Sequence, residues 1–191
     1  MTAINLKKGQ GINLAKVKNL KNLRVELTWN APGIKKFDAD VSALILGSNE
    51  KLLSDSHFVF YNNPESPNGA LVSGGDVRAS GDEDGENIAI ELDKLDSNAR
   101  HIDIIVSIHD EHDERHHFGQ IDKGNLTLRD IDNDEVLAHF DFSKGEFDKN
   151  TIIHAARLSR NDKGWEAIAY GDGETVDLGQ LLISYGATLE G

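Results

Sequence analysis

Ser73 to Glu91 restricts how this chain can fold. Asp76, Asp82, Glu83, Asp84 and Glu86 are interleaved with Gly74, Gly75, Gly81 and Gly85, and the alternating run Ile88-Ala89-Ile90-Glu91-Leu92 follows. Glycine tolerates φ > 0, so the backbone can curl these carboxylates toward one point. Carboxylates a few ångströms apart repel one another. Either they stay apart in water, or a cation sits among them. A hard cation such as Ca²⁺ takes roughly 6–8 oxygen ligands from carboxylates, amides, carbonyls and water. The stretch points to a calcium loop on a β scaffold, with simple solubility as the plainer account of the acidic surface.

An EF-hand is excluded despite a near match. Ser80, Asp82, Asp84, Gly85 and Glu91 fall at the first, third, fifth, sixth and last positions of the calcium-loop template, with only Ser80 off type. The flanks should be helices, yet Ile88 to Leu92 alternates as a strand does and Gly74-Gly75 cannot sustain a helix. Asp130-x-Asp132-x-Asp134 fits worse, because Glu135 stands at the glycine position.

The rest of the chain reads as β structure. Leu23 to Trp29 alternates apolar and polar at period two, the mark of a half-buried strand. Val41 to Leu46, His57 to Tyr61 and Ile88 to Leu92 read as further strands. His101 to Ile108 is nearly continuously apolar, which predicts burial on both faces. Ile4 to Leu14 reads as a hairpin turning at Lys8-Gly9-Gln10-Gly11. Asn125–Arg129 with Glu135–Phe142 predicts a hairpin tipped by Asp130 to Asp134, and Thr151–Leu158 with Trp165–Tyr170 predicts another. One helix is expected, Val176 to Tyr185, ending at Gly186. Nothing divides the chain, so residues 1–191 are expected to form one domain: an all-β sandwich of two antiparallel sheets with a short helix near the C-terminus.

Two candidate sites stand besides the glycine loop. Asp38 and Asp40 lie at the mouth of a strand, where residues two apart face the same side. They are either a pair reaching one ion or ordinary turn and capping residues. His109 to His117 holds four of the eight histidines. Imidazole suits Zn²⁺, Ni²⁺ or Cu²⁺ better than Ca²⁺, so this segment is either a transition-metal or oxyanion-handling site or a solvated connection between strands.

Composition closes other routes. The net charge of −13 argues against nucleic acid, which is bound through Lys and Arg contacts to phosphate, and against direct attraction to an anionic membrane. No cysteine is present, which removes disulfides, thiolate ligands and a Cys nucleophile. The first residues lack the apolar core of a signal peptide. No apolar run approaches the ~20 residues that span a bilayer, so a cytoplasmic location is expected. Neither a Walker-type loop nor a dinucleotide fingerprint nor a G-x-S-x-G elbow occurs. A metal-dependent hydrolase is the weaker reading, and no enzyme is expected.

Several pieces, in order, resemble the TerD family of bacterial tellurite-resistance and stress-response proteins. They are Leu6-Lys7-Lys8-Gly9-Gln10, Leu27-Thr28-Trp29, Phe37-Asp38-Ala39-Asp40, Phe58-Val59-Phe60-Tyr61-Asn62-Asn63, Ser73-Gly74-Gly75-Asp76, Gly81 to Glu86, Phe118-Gly119-Gln120-Ile121, Trp165 and Tyr185-Gly186. The resemblance implies a β-sandwich whose acidic loops bind Ca²⁺, usually at two neighbouring sites. It further implies a cytoplasmic protein working with other tellurite-resistance components, some of them at the membrane, and no catalysis. Carried over residue by residue, the shell it implies is Asp38, Asp40, Asn62, Asn63, Asp76, Asp82, Asp84 and Glu86, with Asp110 peripheral. The chain departs from the family pattern where Val77, Ala79 and Ser80 replace Asn, Thr and Gly, and where Gly85 replaces a second aspartate. Losing an amide and a carboxylate predicts one strong Ca²⁺ site and a second that is weak or absent.

Overall fold

The computed structural model describes residues 3–34, 37–78, 84–109, 115–143 and 145–188, with backbone alone for 76–78 and 84. The strands are β1 (Ile4–Leu6), β2 (Gly11–Asn13), β3 (Asn22–Asn30), β4 (Ala39–Leu46), β5 (Phe58–Val59) and β6 (Leu71–Arg78). They continue with β7 (Asp84–Glu91), β8 (His101–Ile108), β9 (Lys123–Asp130), β10 (Glu135–Ser143), β11 (Ile152–Asn161) and β12 (Gly164–Glu174). Sheet I has the order β1-β10-β9-β3-β7-β6 and sheet II the order β2-β12-β11-β8-β4-β5. All pairings are antiparallel except β1 with β10.

Alternation explains the layering. Leu23, Val25, Leu27 and Trp29 of β3 face inward, as do Ala39, Val41, Ala43 and Ile45 of β4, and they meet in one core between the sheets. β8 is buried on both faces, as its apolar run predicts. Ile102, Ile104 and Val106 join the inter-sheet core, while Ile105 joins a second cluster on the outer face of sheet II.

That outer face is covered by α1 (Leu178–Ser184), shorter than the expected Val176 to Tyr185. Asp177 caps it: its carboxylate accepts from Gln180 N (2.7 Å), and the Gln180 side chain accepts from Asp177 N (3.3 Å). Leu181 and Leu182 bury against Leu44, Leu46, Phe58, Ile105 and Ile152, each stabilising by about 1.5–3 kcal/mol. Below the helix, Arg157 forms a two-pronged pair with Asp103 (2.5 and 2.7 Å), and the Tyr185 hydroxyl donates to the same carboxylate (2.8 Å). Burial, reinforced by Asp103, pushes the Tyr185 phenol well above its ordinary range.

The expected hairpin over Ile4 to Leu14 is incorrect. Its turn is real, since Gln10 N donates to Lys7 O (2.8 Å) and Gly9 has φ 79°, but its arms part. β1 pairs with β10 in sheet I and β2 with β12 in sheet II, so the segment straps the two sheets together. The hairpins β9–β10 and β11–β12 form as expected. At the β9–β10 tip, Asp130 is fully buried and accepts from Asp132 N (3.0 Å) and the Asn133 side chain (2.7 Å). It shapes the turn. No helix among the described residues is long and apolar enough to cross a membrane.

Candidate metal site

Strand direction brings the acidic segments to one end of the sandwich. β4 and β7 begin there and β8 ends there, because Ala39 pairs with Ile108 and Asp84 with Trp29. Asp38 and Asp40 alternate with buried Phe37 and Ala39, so both lie on the opposite face from the core-directed residues. His109 N donates to Asp38 O (3.1 Å), extending the β4–β8 ladder by one rung. The His109 ring follows: its Nδ1 lies 3.3 Å from an Asp40 carboxylate oxygen, and it meets the edge of Tyr61 at 5.4 Å. Ser42, next along the Asp38–Asp40 face, is 1 % exposed and its hydroxyl has no hydrogen-bond partner.

Glu86 reaches the same end from the other sheet. It continues the inward row of Ile90 and Ile88 on β7 yet is itself 6 % exposed. The ladder to β8 engages alternate residues of β4, so the Val41 N–H points to the opposite edge, where β5 reaches only Ala43 and Leu44. A Glu86 carboxylate oxygen accepts that N–H at 2.6 Å. An anionic acceptor makes this a strong bond, and it ties sheet I to sheet II beside the two aspartates.

The other expected ligands divide three ways. Asp76 sits directly opposite Glu86 in the β6–β7 register, and the backbone of Asp84 starts β7. Asp82 and Asp110 lie outside the described residues, as does His112. Asn62 is exposed in the turn after Tyr61. Asn63 spends its amide N–H groups locally, on Phe58 O (2.6 Å) and Ser56 O (3.2 Å).

The two rival segments of the sequence thus meet. His109, counted with the histidine-rich run, belongs to the aspartate side. The remaining described histidines of that run are engaged elsewhere: His116 is buried against Phe37 (5.5 Å), and His117 Nδ1 bonds Asp148 O (2.7 Å). Among the described residues, no group of three or more His, Asp or Glu side chains is arranged to hold a metal. Asp38 and Asp40 offer carboxylate oxygen on one face of β4 with the His109 imidazole against Asp40, while the Glu86 carboxylate lies on the core-facing side. Carboxylate oxygen suits a hard cation more than a soft one. Sequence reasoning missed His109 as the neighbour of Asp40 and Tyr61 as the neighbour of His109. Only the β4–β8 register reveals them.

An antiparallel two-sheet sandwich with its acidic segments at one end defines the class of protein. The chain belongs to the TerD family: the model of the TerD domain matches residues 1–185. It is 34 % identical over 188 residues to the tellurium resistance protein TerD of Serratia marcescens, covering 96 % of this chain and 97 % of that one. It is 31 % identical over 188 residues to a general stress protein of Bacillus subtilis, covering 96 % and 97 %. The fold is also that of a solved TerD homologue from Streptomyces coelicolor, with TM-score 0.67 and 19 % identity over 85 % of this chain and 95 % of that one.

Proposed function

We propose that the chain is a Ca²⁺-binding, non-catalytic member of its tellurium-resistance and stress-response family, acting as a calcium-dependent scaffold for partner proteins. The observation that carries this is the placement of Asp38 and Asp40 on one face of β4, with the His109 ring against Asp40, at the end of the sandwich where Glu86 crosses to Val41. Bound Ca²⁺ would supply charge neutralisation there. Asp38 and Asp40 would contribute carboxylate ligands from β4, and the Glu86–Val41 bond ties the two sheets together at that end. A neutralised end would then present Tyr61, half exposed, to a partner such as another tellurite-resistance protein, in the cytoplasm or at the membrane.

Thermal melting with EGTA and then with millimolar Ca²⁺ tests the reading. A ligand of the folded state at a hundredfold excess over its Kd adds about 2.7 kcal/mol of stability. Ca²⁺ should raise the midpoint, and the Asp38→Asn, Asp40→Asn double variant should lose most of that rise. A midpoint indifferent to Ca²⁺ would sink the proposal.

A further inference from the structure

The outer face of sheet I carries a second arrangement of polar groups, on the side of that sheet opposite to the one from which Glu86 crosses to Val41. Register places Glu26, Thr127, His139 and Asn5 side by side across four strands, and Thr28, Asn125 and Asp141 side by side in the adjoining row. A cavity of about 330 Å³ opens over them, lined by Asn5, Thr28, Lys123, Asn125, His139 and Asp141 among others. That volume is within the range of small-molecule sites.

Proton bookkeeping along the rows sets the chemistry of the floor. The Asp141 carboxylate only accepts, so the Asn125 amide must turn its NH₂ to it, at 2.6 Å. The Asn125 oxygen then faces Thr127, whose hydroxyl donates to it at 2.6 Å. With its proton spent, the Thr127 oxygen accepts from His139 Nδ1–H at 3.0 Å. Neutral His139 is therefore the Nδ1–H tautomer, and its Nε2 keeps a lone pair. Thr127 is 8 % exposed, so the chain is anchored under the surface and the ring orientation is fixed before any ligand arrives.

We propose that this cavity binds a small uncharged polyol of the saccharide class. The charged side chains of its lining, Lys123 and Asp141, offset each other, which selects against a net charge on the ligand. The lining carries acceptors (Asp141 and His139 Nε2) and a donor (Lys123), with Thr28 and Asn5 able to serve as either. Adjacent hydroxyl groups satisfy both kinds, each donating to one and accepting from the other. A phosphate would find one cation beside a carboxylate, and like charges repel.

Side-chain NMR of the whole protein tests the idea, following the His139 ring nitrogens and the Asn125 amide. Without ligand, long-range ¹H–¹⁵N spectra should show the Nδ1–H tautomer, and Thr127→Val, nearly isosteric, should release it. D-glucose, D-ribose and myo-inositol are then titrated at millimolar concentrations, with inorganic phosphate and ZnCl₂ as comparisons. Saturable shifts of both reporters by a polyol support the proposal, with affinity falling about tenfold in His139→Ala and in Asp141→Asn. No response to any polyol, or a response to phosphate or Zn²⁺ alone, overturns it.

Discussion

The sequence offers Glu86 as a candidate ligand, a task we propose; its other task, the bond to Val41, can only be read from the fold. Its partner Val41 is 45 residues away on the other sheet, and no local pattern announces such a bond. The two tasks separate by mutation. In Glu86→Gln the amide oxygen still accepts from Val41 N–H, whereas Glu86→Ala strands that N–H at a residue 2 % exposed. Leaving a buried donor unmade costs about 1–3 kcal/mol. Urea denaturation should therefore show the alanine variant clearly weaker than the glutamine variant, while calorimetry shows both with reduced Ca²⁺ affinity. Equal stabilities would mean that the Val41 bond contributes nothing. Asp38 and Asp40 were legible as a same-face pair because strand alternation is a local rule. His109 was not, because its place beside Asp40 depends on register.

At the scale of elements, periodicity found most strands and turn chemistry found the β9–β10 and β11–β12 hairpins. The stretch expected as an acidic loop, however, is strand over Leu71–Arg78 and again from Asp84, because glycine and aspartate there accept ladder pairing across β6 and β7. Turn chemistry failed at Lys7 to Gln10, where a sound turn delivers its arms to different sheets. Turn residues specify a bend in the chain; they say nothing of which edge strand awaits each arm. Helix α1 was legible from its closing glycine, but neither its Asp177 cap nor the Asp103–Arg157–Tyr185 cluster that seats it was. That cluster has a pH signature. Burial raises the Tyr185 phenol above the value it has in the unfolded chain, near 10. Its contribution is thus intact below about pH 10 and is lost as pH rises through the folded value. Circular dichroism melts above pH 10 should show a falling midpoint, with a shallower fall in Tyr185→Phe. Identical slopes for both proteins would remove Tyr185 from the account.

For the whole molecule, a net charge of −13 means that folding compresses like charge. With calcium chelated, raising NaCl until the Debye length shrinks from about 30 Å to about 3 Å should raise the melting midpoint. A midpoint that falls with salt would show that attractive pairs outweigh the repulsion. The fold class followed from composition and alternation, since many short strands with one late helix leave few alternatives. The order of strands within each sheet did not, because it is set by long-range pairing. The strap formed by β1 and β2 has a consequence for the chain during its own synthesis. These strands precede their partners in the chain by a long interval, since β10 and β12 end at Ser143 and Glu174. Neither edge can be closed until most of the polypeptide has emerged, so both sheets wait on non-local contacts, which form slowly. The sandwich therefore stays open at these two edges until β10 and β12 have been made.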